Sequence, residues 1–217
     1  MMSEYKNFLL FKDLSLPETE KALSLLEATE KEYSRGETLF SGGKLSSFGL
    51  VLSGDVRVCF EELDGNNVVM ANCVKGDSFG ESLCWLEKEA ASMRAYSPSG
   101  ARVLWMSLSA LRGNACDALT NKIKNNLLSL LASRTLSMND RIQVLSKPSI
   151  REKITVYLNQ CARDGRNKTF NIPFDREALA AYLGVNRSAL SRELSNMKRE
   201  GLIDFYKNSF SVKTTQI

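Results

Sequence analysis

The sequence contains no histidine. That absence removes imidazole as a haem ligand, as the ligand set of a cupin-type metal site and as the usual general base of a hydrolytic enzyme. No serine or cysteine nucleophile lies beside another credible base, so an enzyme using a β-barrel as its active site is disfavoured, and nothing calls for a metal or a cofactor. Cysteine is scarce and unpatterned: residues 59, 73, 84, 116 and 161 form an odd set without a CxxC pair. This argues against a disulfide framework or zinc knuckle and for reduced, mostly buried thiols. No run of about 18 apolar residues occurs, and the opening MMSEYKNFLLFKDL has charges inside its short apolar stretch. Neither a membrane span nor a signal peptide is expected, and the reading is cytoplasmic. What is present, 217 residues with 43% hydrophobic content, suits two modest cores and gives no sign of disorder.

Charge is unevenly placed. From Arg151 onward there are 12 lysines and arginines against 7 acidic residues, a balance of +5, while the rest of the chain has 17 against 18. A basic surplus confined to one segment is expected where one domain meets a polyanion and the other does not.

That basic segment carries the most informative pattern, FDREALAAYLGVNRSALSRELSNMKREGLIDFYK. A first helix over Arg176–Leu183 has Leu179, Ala180 and Leu183 on one face, and Gly184-Val185 turns the chain. A second helix puts Ala189, Leu190 and Leu194 inward and leaves Asn186, Arg187, Ser188, Ser191 and Arg192 on the outer face. Short serines let such a helix lie deep in a major groove, and arginines can bond guanine edges bidentately or clamp phosphates. Lys198 and Arg199, before Gly201, close the helix and add to the DNA-binding set. Ile203–Tyr206 and Phe210–Val212, around Lys207-Asn208-Ser209, read as a two-stranded wing. An ordinary amphipathic hairpin is the competing reading.

Before residue 108 the texture is that of short strands between glycine turns: 38–40, 48–52, 56–60, 68–74 and 102–106. The turns fall at Gly42-Gly43, Ser53-Gly54-Asp55, Asp64-Gly65-Asn66-Asn67 and Lys75-Gly76-Asp77. This spacing predicts an antiparallel barrel or jelly roll. An amphipathic helix over Pro17–Glu30 precedes it, with Leu23, Leu25 and Leu26 inward. From Ser109 to Ser146 a long helical stripe includes Ile123, Leu127, Leu130, Met138 and Ile142, and is expected to form a dimer seam; packing on its own β domain is the alternative. Pro148 in Lys147-Pro148-Ser149 marks a hinge, followed by a helix over Ile150–Arg163 with Ile154, Tyr157 and Leu158 inward. The expected organisation is α+β: a β-roll over 1–108, a long helix over 109–146, a hinge at 147–149 and a winged helix-turn-helix over 150–217.

A β-roll, a long helix and a C-terminal winged helix-turn-helix in that order resemble the family of the cyclic-AMP receptor protein and the fumarate-nitrate reductase regulator. The resemblance spans essentially the full chain and rests on Thr38-Leu39-Phe40-Ser41-Gly42-Gly43, Leu52-Ser53-Gly54-Asp55-Val56, Gly76-Asp77-Ser78-Phe79-Gly80-Glu81 and Val185-Asn186-Arg187-Ser188-Ala189-Leu190-Ser191-Arg192. It implies a jelly roll of the cyclic-nucleotide-binding type and a homodimer on palindromic double-stranded DNA, with recognition helices about 34 Å apart. Arg187 and Arg192 match base- and backbone-contacting positions of the family, and Ser191 a serine used in one branch. Ser188 departs from a frequent glutamate, which implies a different half-site. An activator would also need a surface for RNA polymerase, for which the sequence shows no signature.

The resemblance also implies a sensor site. Cyclic-nucleotide binders of the family bind phosphate at the short helix after the Gly-Glu pair, here Gly80, Glu81 and Ser82, and ribose through the glutamate. Their phosphate-neutralising Arg-Ser pair is replaced by Glu89 and Ala90, and Met138 and Asn139 fall near the pair that reads adenine. A carboxylate facing a phosphate is unfavourable, so cyclic AMP is not expected as the effector. The oxygen-sensing branch places its cluster cysteines near the N-terminus, whereas the first cysteine here is Cys59. The expectation is a DNA-binding regulator that either responds to another small molecule or is constitutively competent. The alternatives are a thiol redox switch at Cys84, and a winged-helix protein-interaction module with a nucleotide-sensing roll.

Overall fold

The computed structural model describes residues 2–61, 67–113, 117–164 and 169–213. They form two compact units, Met1–Leu131 and Ala132–Ile217. In the first, α1 (Met2–Tyr5), a 3-10 turn (Leu9–Phe11) and α2 (Leu16–Leu25) precede β1 (Thr29–Tyr33), β2 (Thr38–Ser41), β3 (Ser47–Glu61), β4 (Asn67–Val74) and β5 (Ser78–Phe79). Then come α3 (Glu81–Leu86), β6 (Met93–Tyr96), β7 (Ala101–Ser107), α4 (Ser109–Arg112) and α5 (Ala118–Leu145), whose last turns belong to the second unit. The seven strands make one curled antiparallel sheet, ordered β1-β7-β3-β6-β2, with β4 and β5 also paired to β3.

The long strand β3 organises this unit. Its first half pairs with β5 and β7, and its second half with β4 and β6. Expected as two strands separated by a turn at Ser53-Gly54-Asp55, it is continuous; the register with β7 shifts between Val51 and Ser53. Gly54 takes φ +75°, and a Cβ there would lie 2.0 Å from the Gly100 carbonyl oxygen. The glycine therefore serves a bulge and a close strand approach, not a reversal. Alternation along β3 and β7 feeds two cores. Phe48, Leu50, Leu52, Leu104 and Met106 face Phe11, Leu26, Leu111, Ile123 and Leu127, while Val51, Val56, Val58 and Val103 line the inside of the roll with Phe79. Phe79 stacks on Phe40 and meets Trp105 edge-on at 5.4 Å between centroids. Trp105 Nε1 donates to Tyr33 Oη at 2.8 Å.

Other expected boundaries also move. The helix expected over Pro17–Glu30 ends at Leu25; Glu27 takes φ +50° and β1 begins at Thr29. Four of five β1 residues, Thr29–Glu32, are exposed, as suits a charged edge strand. β6 and β5 were not expected as strands. The helical stripe starting at Ser109 is split into α4 and α5. Asp64-Gly65-Asn66, part of an expected turn, and Cys116 lie outside the described residues.

Ile123 and Leu127, expected in the dimer seam, are 0% and 4% exposed in the first unit's own core. Their stripe faces inward because the sheet face carrying Phe48, Leu104 and Met106 needs a cover. Leu130 is half-buried. Met138 and Ile142 are 59% and 60% exposed, as are Leu128, Leu136 and Leu145 to 66%, 66% and 40%.

In the second unit, the chain leaves α5 through 146–149 into α6 (Ile150–Asp164), then β8 (Thr169–Asn171), α7 (Arg176–Leu183), α8 (Arg187–Arg199), β9 (Ile203–Tyr206) and β10 (Ser209–Val212). A three-stranded antiparallel sheet, ordered β8-β10-β9, replaces the expected two-stranded wing. The core gathers Ile154, Tyr157 and Leu158 from α6, Leu179 and Leu183 from α7, and Leu190, Leu194 and Met197 from α8. Val144 of α5 is fully buried in it, Arg141 lies over the Tyr182 ring at 5.5 Å, and Gln160 donates to the Asp140 carbonyl at 3.0 Å.

Arg151, two residues past the 146–149 link, ties α6 to the far end of α8. It donates to both Glu200 oxygens at 2.7 and 2.8 Å and to Glu193 at 2.6 Å. The hydrogen bonds from Arg151 hold the Glu200 carboxyl below its ordinary pKa. A depressed carboxyl pKa contributes stability above the unfolded value, about 4.3, and loses it as pH falls through the folded value. The difference in thermal midpoint between the natural protein and Glu200→Gln is therefore expected to be present at pH 6 and to shrink as pH falls below the unfolded carboxyl value.

Candidate DNA interface and sensor site

The helix-turn-helix is built by local signals. Asp175 caps α7, its side chain accepting from Ala178 N–H at 2.8 Å. Gly184 ends α7 at φ +63°, a conformation that costs a side chain, and its N–H closes on Ala180 and Ala181 carbonyls. Asn186 caps α8. With Leu190, Leu194 and Met197 fully buried, Asn186, Arg187, Ser188, Ser191 and Arg192 are all exposed, as expected from the sequence. Arg192 Nε reaches the Ser188 carbonyl at 3.4 Å, one turn back.

Lys198, expected at DNA, is exposed and contacts the wing. Its ammonium pairs with Asp204 at 2.7 Å and donates to the Phe205 carbonyl at 3.1 Å, because Asp204 stands opposite on β9. Arg199 remains exposed and donates to Asn196 at 2.8 Å. The sequence reading missed a second group at the other end of the wing. Arg176, at the start of α7, lies over Phe205 and Phe210 at 4.9 and 5.1 Å and donates to the Lys207 carbonyl at 2.8 Å. Lys207 turns the wing at φ +52°. Arg176, Arg187, Lys207 and Asn208 line one open cleft of about 390 Å³ together with Asp175 and Glu177. In the sequence, Lys207 is one basic residue in a turn, and only the fold sets it beside Arg187.

The residues expected at a sensor site lie in the first unit, except Met138 and Asn139, which are exposed on α5 in the second. Gly80 precedes α3 in a left-handed conformation, Glu81 is 2% exposed at its first turn and Ser82 is exposed. Glu89 and Ala90 follow α3: Glu89 is exposed and its backbone forms an isolated antiparallel β-bridge with Lys44, whereas Ala90 is buried and donates its N–H to the Gly43 carbonyl at 2.7 Å. Arg94 lies on β6, a few residues beyond Ala90. Its guanidinium bonds Thr38 Oγ1 at 2.8 and 3.2 Å and faces Glu61 at 3.9 Å. Arg112 of α4 holds the end of α3, bonding Glu87 and the Cys84 carbonyl.

Cys84 is 1% exposed, points at the Leu45 carbonyl, and burial pushes its thiol up to about 11. A buried, protonated thiol is a poor nucleophile, which removes support from a redox switch at this residue. Iodoacetamide at pH 8 is expected to leave Cys84 unlabelled in the folded protein and to label it after denaturation, as read by peptide mass. Among the described residues no cluster of acidic or thiol side chains could hold a metal ion, and no helix is long and apolar enough to cross a membrane.

Sequence comparison agrees with both units. The Crp-like helix-turn-helix domain profile matches residues 152–215, and the Cyclic nucleotide-binding domain profile matches residues 30–112. The chain is 30% identical over 198 residues to the cyclic AMP receptor protein of Thermus thermophilus, covering 89% of this chain and 87% of that one. It is 26% identical over 187 residues to the nitrogen fixation regulation protein FixK of Bradyrhizobium diazoefficiens, covering 83% and 76%. The crystal structure of the Thermus thermophilus catabolite activator protein superposes with a TM-score of 0.51 at 27% identity, covering 94% of this chain and 93% of that chain. The curled β unit, the long helix, the helix-turn-helix with its wing and these matches lead to one assignment: the chain belongs to the Crp/Fnr family of transcriptional regulators.

Proposed function

We propose that this regulator is a cytoplasmic homodimer, not an enzyme, that reads a palindromic operator through α8 and is not controlled by cyclic AMP. The observation that carries the DNA reading is the outer face of α8. Arg187, Ser188, Ser191 and Arg192 are exposed together while the opposite face is fixed in the core. Arg187 and Lys207 flank that face at the cleft and supply positive charge for phosphates. The apolar, exposed positions Leu128, Met138, Ile142 and Leu145 recur on α5 at spacings compatible with a 3-4 repeat, and supply the dimer seam.

The effector reading rests on the residues around α3. A cyclic nucleotide phosphate would meet Glu89 in place of a cation, and Arg94 is engaged by Thr38 and Glu61. The regulator therefore works with another small molecule or without one. Saturating cyclic AMP is expected to leave the melting temperature unchanged; ligand at 100 times its Kd would add about 2.7 kcal/mol, and such a shift would overturn this reading. Switching is a rotation of the DNA-binding unit about Lys147–Ser149, which has to release the hold of Val144 and Arg141 on the second unit's core.

Selection of fragmented genomic DNA by the reduced protein tests the DNA reading. Enrichment of palindromes with half-sites about one helical turn apart is expected. Absence of any enriched sequence, with and without a small-molecule extract, would count against it.

A further inference from the structure

Asn186, one residue before α8, has an extended backbone with φ −71° and ψ 136°. Its Oδ1 accepts two hydrogen bonds from Ser188, from the backbone N–H at 2.9 Å and from the hydroxyl at 2.6 Å. The first of these decides the chemistry of the second. An atom that accepts a backbone N–H has to be the amide oxygen, because the amide nitrogen presents hydrogens, so the orientation of Asn186 follows from the network. The hydroxyl of Ser188 is then the donor in their contact. A hydroxyl has one hydrogen and two lone pairs, and with the hydrogen directed at Asn186 only the lone pairs are available to a base. Ser188 is exposed on the first turn of α8, where recognition helices meet base edges.

We propose that Asn186 is a positioning residue that sets DNA specificity: it fixes Ser188 as a pure hydrogen-bond acceptor, so the base facing Ser188 is selected for an amino group. In the major groove cytosine presents N4–H₂ and adenine N6–H₂, whereas guanine and thymine present acceptors at O6 and O4. Cytosine or adenine is favoured at that position and guanine or thymine disfavoured. An ordinary cap would behave differently, because a lost cap weakens the helix and hence every contact alike. The inference rests on α8 being the reading helix.

The test is selection by the full-length protein from a DNA pool randomised across one half-site, with and without a small-molecule extract of the cells that express it. The unmutated protein is expected to favour cytosine or adenine over guanine or thymine at one position by about fivefold, the worth of one net hydrogen bond. Ser188→Ala flattens that position. Asn186→Gly, a substitution well tolerated before a helix, flattens the same position by releasing the hydroxyl to donate, and leaves the preferences at the other positions intact. Asn186→Asp keeps the acceptor and keeps the preference, with uniformly weaker binding from the added negative charge. The inference is overturned if Asn186→Gly keeps the preference or weakens all positions alike, if Asn186→Asp abolishes it, or if the unmutated protein favours guanine or thymine there. A different pattern sinks the reading of α8 itself, and the inference with it: no sequence enriched by the unmutated protein, or no position altered by Ser188→Ala.

Discussion

Arg192→Ala is expected to weaken binding to the selected operator by about 1–3 kcal/mol, roughly 5- to 150-fold, and to relax the preference at one base pair of each half-site. The side chain is exposed on the same face as Ser188 and Ser191, one turn into α8. Its Nε leans on the Ser188 carbonyl at 3.4 Å, a long contact that leaves the guanidinium edge available for a bidentate bond to guanine N7 and O6. A phosphate contact would give another result: affinity would fall about equally on all sequences, and the slope of log affinity against log salt would drop by about one. Lys207→Ala, at the wing tip, is expected to behave in that second way. Equilibrium titrations of specific and scrambled duplexes at several salt concentrations separate the two outcomes. Near-normal affinity of the Arg192 variant for the operator would show that α8 does not read DNA in this register.

Ile142→Asp is expected to convert the dimer to a folded monomer and to abolish high-affinity operator binding. Ile142 is 60% exposed and follows Met138, itself 59% exposed, by four residues, so a carboxylate there meets solvent in the monomer and an apolar partner face in the dimer. Linking two reading heads raises avidity by 10² to 10⁴ over one head, on the order of what dissociation removes. Sedimentation would report the mass and circular dichroism the intact fold. Ile123→Ala is the control on the same helix. Ile123 is fully buried against the roll, so this variant is expected to lose about 2–5 kcal/mol of stability and remain dimeric. A dimer that survives Ile142→Asp would move the seam elsewhere.

These two residues also show how far the chain could be read in advance. The apolar steps along α5 are visible in the sequence, and so is the helix they make. Which steps face the roll and which face solvent is not, because period alone does not say what lies opposite. The sheet face of Phe48, Leu104 and Met106 claims Ile123 and Leu127, and beyond Leu131 other contacts take over. Strand β1 was missed for a related reason. Thr-Glu-Lys-Glu-Tyr carries no alternation, since it is an exposed edge held by its ladder to β7. Gly54 was read as a turn because a glycine with positive φ serves reversals and bulges equally well, and the choice depends on the Gly100 carbonyl across the sheet.

The sequence by itself determined the helix-turn-helix and its outer face, the family resemblance and the absence of histidine chemistry. All of these rest on local periodicity, caps and composition, which act over a few residues. The tertiary structure alone decided that Lys198 turns to Asp204, that Arg176 and Lys207 meet at the wing, and that Arg94 is held by Thr38. Each is a contact between different parts of the fold. A side chain's partners and its access to water depend on what the fold brings beside it.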